Sequence, residues 1–376
     1  MHRPDEATIN GDASALTYDR AISELRRGRA LQVVNGEHSL VVAAAETVDS
    51  AALQRLVEAS GGALTLLLTR ERAAAAGYSA DADGPVALAV PAGTPLATLH
   101  AVAGIAAVGL DGAPRALAAS RPPARPALAA AAVELAKVAK LVPALLAFEA
   151  PVAPLPGVLA LSAVDIERRA RVRSQLELVS RARVPLADAV DCEIAVFREA
   201  YDLAEHVAVI IGQPNFAEPV PVRLHSACLT GDLLGSLRCD CGEQLRTAVA
   251  RIASLGGGAL LYLAQEGRGI GLPNKLRAYV LQDAGLDTVD ADHHLGFLAD
   301  ERRYDVAAAL LQELGIARVE LMTNNPQKIV ALREHGIDVV SRISLVASAN
   351  AHNERYLRAK LERAGHLSED AVDNAR

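Results

Sequence analysis

The stretch Glu243-Gln-Leu-Arg-Thr-Ala-Val-Ala-Arg-Ile-Ala-Ser-Leu-Gly-Gly-Gly-Ala-Leu-Leu-Tyr-Leu263 decides the fold class. Residues 243–255 are amphipathic at helical spacing, Gly256-Gly-Gly258 stops that helix, and Ala259 to Leu263 is an apolar run of strand length. Downstream, a Gly-rich loop is followed by a helix from Asn274 to Ala284, stopped by Gly285, and by a helix from Glu301 to Leu314, stopped by Gly315. A strand from Val319 to Thr323, a short helix to His335 with Gly336 beyond it, and a strand from Ile337 to Ser344 complete this half. Upstream the pattern is similar: a helix from Tyr18 to Arg29, strands Ala30 to Val34 and Leu40 to Ala44, a helix from Ser50 to Ala59 ended by Gly61-Gly62, and a strand from Ala63 to Thr69. Both halves therefore read as α/β (α+β) layers, giving two such domains.

The length, 376 residues, suits two domains at about 100 to 200 residues each. Hydrophobic residues make up 51% and charged ones 22%, which excludes wholesale disorder. Aromatics are only 3%, too few for a platform that stacks single-stranded bases, and the net charge of −7 repels polyphosphate backbones. No nucleic-acid partner is expected, and any bound phosphate is small and held locally. Four cysteines are too few for a disulfide scaffold, and the start MHRPDEATIN lacks the apolar region of a secretory signal. The two most apolar stretches, Val86 to Leu110 and Leu141 to Val164, are broken by prolines, so no membrane span is expected. The reading is a cytoplasmic protein. Composition shifts at the charged segment beginning Asp165-Ile-Glu-Arg-Arg, read as a solvated linker helix through Arg173 and beyond. The expected domains are 1–164 and 179–376, with the linker helix over 165–178.

Three of the four cysteines fall within fourteen residues, as Cys228-x10-Cys239-Asp240-Cys241. They are either ordinary buried thiols or three ligands of one zinc ion. Three protein ligands leave a fourth tetrahedral position for water, the arrangement of catalytic zinc, whereas a structural ion would need a fourth ligand such as His225 or Cys192. Next, Gln265-Glu-Gly-Arg-Gly-Ile-Gly-Leu272 follows an apolar strand. Its glycines permit close approach to a ligand, Glu266 can accept from a base edge, and Arg268 can fork onto phosphate. Arg223, His225 and Ser226 precede the thiols, and Lys328 opens a helix after Thr323-Asn-Asn-Pro-Gln, so polar clusters follow several strand ends, as in a ligand crevice. Asp300 reads by default as the cap of the helix that follows, or as a proton acceptor beside Arg302. Tyr279 reads as half-buried packing or as a catalytic group.

Taken together, Arg223 to Asp232, Ser236 to Gly242, Gln265 to Leu272, Asn274 to Tyr279, Gly296 to Arg302 and Thr323 to Pro326 resemble GTP cyclohydrolase II of riboflavin biosynthesis, over about residues 180 to 366. The resemblance implies opening of the imidazole ring of GTP, with release of C8 as formate and loss of pyrophosphate. The product is 2,5-diamino-6-ribosylamino-4(3H)-pyrimidinone 5′-phosphate. It implies zinc on Cys228, Cys239 and Cys241, and GTP contacts at Arg223, Leu224, His225, Ser226, Ala227, Gln244, Glu266, Gly267, Arg268, Thr288, Thr323 and Lys328. It further implies Asp300 as proton acceptor, Arg302 as nucleophile at the α-phosphate, Tyr279 in completing ring opening, and magnesium on the triphosphate. Electrostatic stabilisation by Arg302 is the physically preferred role. Ala227 departs from the Glu found in many relatives.

The first half resembles 3,4-dihydroxy-2-butanone 4-phosphate synthase, the usual fusion partner, in worn form. The family's acidic ligand loop is reduced here to Asn35-Gly-Glu-His-Ser39, and its His-Thr-Glu falls on Leu128-Ala129-Ala130. Of the acidic site residues only Glu149 remains, a poor magnesium site by itself. A folded, synthase-inactive domain is expected, serving dimerisation or stabilisation in a homodimer. A silent GTP-binding or scaffolding subunit and a true bifunctional enzyme are the alternatives.

Overall fold

A computed structural model describes residues 13–79, 83–106, 121–171, 175–199 and 204–345, with isolated positions between and beyond them. The end of the apolar stretch that closes at Leu110 and Arg173 of the charged segment lie outside the described residues. By contacts the chain forms two units, one of residues 1–172 with 273–299, the other of 173–272 with 300–376.

The first unit is built on six strands: β1 (Leu31–Asn35), β2 (His38–Ala44), β3 (Thr65–Leu68), β4 (Val86–Ala89), β5 (Ala144–Ala150) and β6 (Leu159–Ser162), in the order β4-β3-β5-β2-β1-β6. Apolar residues run continuously along β2, so both faces are buried. Leu40, Val42 and Ala44 face a core shared with helices α1 (Ala13–Arg26), α5 (Pro126–Val138) and α6 (Ala163–Arg171). Val41 and Ala43 face the opposite core, under α2 (Ser50–Ala59), α3 (Arg70–Ala75) and α4 (Leu96–Ala103). The β1–β2 hairpin closes with Asn35 opposite His38, so the turn is Gly36-Glu37 alone. Gly36 takes φ 58, the left-handed conformation that a two-residue hairpin loop demands. Leu128 and Ala129 are core residues of α5, and Glu149 is half exposed on β5, 3.5 Å from the Arg125 guanidinium.

The second unit has seven strands, β7 (Leu176–Arg183), β8 (Cys192–Glu199), β9 (Glu205–Gly212), β10 (Val220–Ser226), β11 (Gly257–Leu263), β12 (Arg318–Met322) and β13 (Asp338–Ile343), in the order β13-β12-β10-β11-β9-β8-β7. β10 pairs in parallel with both β11 and β12. Helix α7 (Cys241–Ser254) covers one face through Ala248, Val249 and Ile252. Helices α10 (Asp305–Glu313) and α11 (Pro326–Glu334) cover the other. Between α7 and α10 the chain forms α8 (Leu272–Asp283) and α9 (Thr288–His294); 273–299 clusters with the first unit.

Two elements differ from expectation. In the charged segment read as one helix through residue 178, the described helix is Ala163–Arg171, and Leu176–Arg183 is a strand on the sheet edge. Its Leu176-Glu-Leu pattern has the two-residue period of a strand, and the pairing with β8 rewards it. The helix expected from Glu301 starts at Asp305, because Asp300 bonds Arg302 and Tyr304 instead of capping, and Tyr304 holds the cap position. Among the described residues no helix is long and apolar enough to cross a membrane.

Candidate metal and nucleotide site

The site grows from strand β10. Its two-residue period sends Val220, Val222 and Leu224 into the core under α10 and leaves Arg223 and His225 on the α7 face. The loop after β10 carries Cys228 into a wide π-type turn (Leu229–Leu233), and the chain returns through Cys239 to Cys241, the first residue of α7. The three sulfurs lie within 4.8 Å of one another, Cys228 and Cys239 at 3.7 Å. A tetrahedral ion with metal–sulfur bonds of about 2.3 Å sets its ligands about 3.8 Å apart, so this spacing suits one. Among the described residues it is the only group so arranged for a metal ion. Gly231 closes the cradle: a Cβ there would stand 2.8 Å from Cys239 Sγ and 3.0 Å from Cys228 Sγ. Hydrogen bonding to Cys228, then burial and the neighbouring thiols, pushes the Cys241 thiol well up, and Cys239 also moves up, again chiefly through Cys228. A divalent cation reverses that preference, because it holds thiolates outright.

Asp232 organises the thiol loop from beneath. Its Oδ2 accepts from the Cys228 amide at 2.9 Å and from the Tyr262 hydroxyl at 3.0 Å, while His225 Nε2 lies 3.0 Å from Oδ1. The His225 and Tyr262 rings, opposite each other on β10 and β11, stack at 5.6 Å. Burial drives the His225 pKa down against the pull of Asp232, so the ring is neutral and Nε2 donates. Tyr262 carries no signal in the sequence, because it sits inside an apolar strand.

Arg223 is buried, and burial brings its pKa down to about 10 despite the charges of Asp240 and Cys241. It donates from Nη1 to the Met322 carbonyl (2.9 Å) and from Nη2 to Gln244 Oε1 (2.6 Å), and Gln244 donates in turn to Asp240 (2.6 Å). Its Nε and the Ser226 hydroxyl are buried without a hydrogen-bond partner. Such orphans call for a ligand or an ion. From the other side of β10, Lys328 reaches back from α11 to donate to the Leu224 carbonyl at 2.9 Å. Thr323, fully buried, accepts from the Asn325 amide, and the Ala227 amide donates to Leu263.

After β11 the glycine-rich loop makes a tight turn with Gly267 at φ 63 and Arg268 at φ 58. A non-glycine residue held left-handed marks a shape fixed by its surroundings. Glu266 Oε2 accepts from the Leu229 amide at 2.7 Å, which ties this loop to the thiol loop. Arg302 forks onto Asp300, with Nε to Oδ1 at 2.8 Å and Nη2 to Oδ2 at 2.6 Å, and Tyr304 donates to the same carboxylate. Burial would raise the Asp300 pKa, but the bonds and charge of Arg302 overcome it and hold the carboxyl below its usual range. The charge of Arg302 is also felt at Arg223. Loops after β10, β11 and β12 thus converge at the carboxyl ends of parallel strands. The chain order reverses there, beside β10, where such sheets hold ligands. Tyr279 and Thr288 lie on α8 and α9, in the segment that clusters with the first unit; Lys275 Nζ stands 5.8 Å from the Tyr279 ring centroid.

Comparison with known proteins gives the family. Residues 177–344 match the GTP cyclohydrolase II family, a span holding β10 to β13 and all three thiols. The GTP cyclohydrolase-2 of Azospirillum brasilense is 46% identical over 391 aligned positions, covering 97% of each chain. That of Shewanella amazonensis is 54% identical over 171 positions, covering 46% of this chain and 83% of its own. The riboflavin biosynthesis protein RibBA of Salinispora tropica is 49% identical over 200 positions, covering 53% of this chain and 50% of its own. With a likeness at 46% identity that runs from end to end in one relative, and a family match over the span that holds the three thiols, the chain belongs to the GTP cyclohydrolase II family.

Proposed function

We propose that this enzyme opens GTP by zinc-dependent hydrolysis, releasing formate and pyrophosphate and leaving 2,5-diamino-6-ribosylamino-4(3H)-pyrimidinone 5′-phosphate. The observation that carries the reading is the packing of Cys228, Cys239 and Cys241 within 4.8 Å of one another, on the loop that follows the strand bearing the buried, unsatisfied Arg223 Nε and Ser226 hydroxyl. These three thiols would hold zinc, which when bound supplies Lewis acidity and activates water for attack at C8, an electron-poor carbon between two nitrogens. The remaining work falls to the chain's own groups. Glu266, oriented by the Leu229 amide, accepts from the base edge. Arg223, Arg268 and Lys328, with magnesium arriving on the triphosphate, offset charge building on the phosphates. Asp300 stays ionised and accepts a proton. Arg302, with its guanidinium forked onto Asp300, stabilises charge at the α-phosphate and does not attack it. Tyr279 and Thr288 serve ring opening and GTP binding on the strength of the resemblance. Full-chain protein loaded with zinc should convert GTP to formate and the diaminopyrimidine, identified by mass spectrometry; GTP binding without turnover would refute the reading.

The first unit is proposed to lack synthase activity, with its boundary to the cyclohydrolase at 165–178. The support is local: a two-residue turn stands where an acidic loop would carry ligands, and Leu128 and Ala129 are buried in the core. Ribulose 5-phosphate incubated with the protein and magnesium should be left unconsumed.

A further inference from the structure

Glu199 closes strand β8 with its side chain buried, and a buried carboxylate needs partners. Its Oε1 accepts from Arg303 Nη1 at 2.8 Å, and Oε2 lies 3.6 Å from His206 Nε2. His206, on β9, is only 1% exposed, and its Nδ1 accepts from the Ala264 amide at 3.1 Å. A backbone N–H only donates, so Nδ1 carries no proton and the ring's N–H is at Nε2. Nε2 is buried without a hydrogen-bond partner, and the Glu199 oxygen, just beyond hydrogen-bond reach, attracts it as a charge attracts a dipole.

Ala264 and Arg303, the residues this pair holds, stand on the two sides of one seam. Gln265 donates to the Arg303 carbonyl at 2.8 Å and accepts from the Arg303 amide at 3.2 Å, pairing with that backbone as a strand would. Further along, the Glu301 amide donates to the Arg268 carbonyl at 3.1 Å. Packing is tight: a Cβ on Gly269 would stand 2.5 Å from the Glu301 carbonyl oxygen. Backbone contacts therefore set Arg268 and Arg302 against each other. Besides burial, the charges of Arg302 and Arg268 both bear on the Tyr304 hydroxyl, and that of Arg302 is felt at the buried Arg223. Like charges gathered in this way repel, and an anion with several oxygens is the ligand that relieves them.

We infer that Glu199 and His206 are positioning residues that act through this seam, fixing the spacing of Arg268 and Arg302 so that both guanidiniums meet one pyrophosphate group. This rests on the part of the proposed function that sets those cations on phosphate. The carboxylate holds one side of the seam at Arg303 and the imidazole holds the other at Ala264, so the pair acts on the ligand through the residues it places. A guanidinium pairs with phosphate in a fixed fork, and a shift of either fork weakens both.

The test uses the full-length zinc-loaded protein and inorganic pyrophosphate with magnesium as the probe, its affinity read by calorimetry beside zinc content and GTP turnover. Glu199→Gln keeps the shape of the side chain and removes its charge. It should weaken pyrophosphate at least about fivefold at unchanged zinc content, as loss of charge from one hydrogen bond does. At His206 two variants are compared. Asn places its carbonyl oxygen where Nδ1 stands and can still take the Ala264 amide, whereas Leu cannot. His206→Asn should therefore bind pyrophosphate at least about fivefold more tightly than His206→Leu, although a merely structural role in a buried position favours leucine. Nitrogen-15 spectra of the parent, with His206 assigned through His206→Asn, should show Nδ1 without a proton and Nε2 with one. Glu199→Gln and the parent's spectrum answer even where His206→Leu does not fold. The inference is overturned by a parent that does not bind pyrophosphate, by Glu199→Gln within about twofold of the parent, by leucine equalling asparagine, or by a proton on Nδ1. Should the parent bind pyrophosphate yet leave GTP intact, the proposed function falls and the positioning pair stands.

Discussion

Asp232 shows how much one side chain can arrange. It takes the Cys228 amide, the Tyr262 hydroxyl and His225 together, so the direction of the first sulfur is set by a buried carboxylate that is not itself among the three thiols. Partners of this kind tune metal affinity by about 10- to 100-fold when removed. Asp232→Asn should therefore weaken zinc binding by at least about tenfold, read by competition with a chelator, while the melting temperature of the zinc-loaded protein shifts little; an unchanged affinity would separate Asp232 from the metal. Such a residue is only half legible in sequence. Its place four residues after Cys228 is plain, but the convergence with Tyr262 exists only once β10 and β11 pair. Asp300 teaches the same lesson in reverse: a carboxylate before a helical pattern reads as a cap, and the stronger attraction of the Arg302 fork takes it elsewhere.

Among elements, the thiol turn depends on an absent side chain. Gly231 sits where any Cβ would meet two sulfurs, so Gly231→Ala should lower zinc occupancy and formate release together while far-ultraviolet circular dichroism stays that of the parent. Full occupancy in that variant would show that the turn has slack. The strands and helices that carry the site were readable because glycine stops and apolar runs mark α7 and β11 in the chain itself. The edge strand β7 was not, since its exposed, charged residues look like a solvated helix until β8 supplies a partner. Nor does any local pattern reveal where α8 and α9 dock, because the contact joins residues more than a hundred positions apart: Asn274 with the Lys140 carbonyl, Arg277 with Glu46, and Arg72 with the His294 carbonyl.

On the scale of the molecule, the two sheets and the family were both legible, and the way 273–299 departs from the contiguous reading was not. That segment brings a pH dependence with it. Burial, and then the charge of Arg72, lowers the His294 pKa to about 4 from 6.5. The unfolded chain takes up the proton first as pH falls, so the stability contributed by neutral His294 is present above about 6.5 and is lost progressively toward 4. Thermal melts at about pH 7 and pH 4.5 should differ more in the parent than in His294→Gln; equal differences would remove His294 from the account. The central claim, that three sulfurs hold the ion on which GTP opening depends, is met most directly by one paired measurement: zinc content and formate release on the same preparations of the full chain and its Cys239→Ser variant. The parent should bind one zinc per chain and release formate, and the variant should lose both at once. Formate release by a metal-free variant would contradict the account.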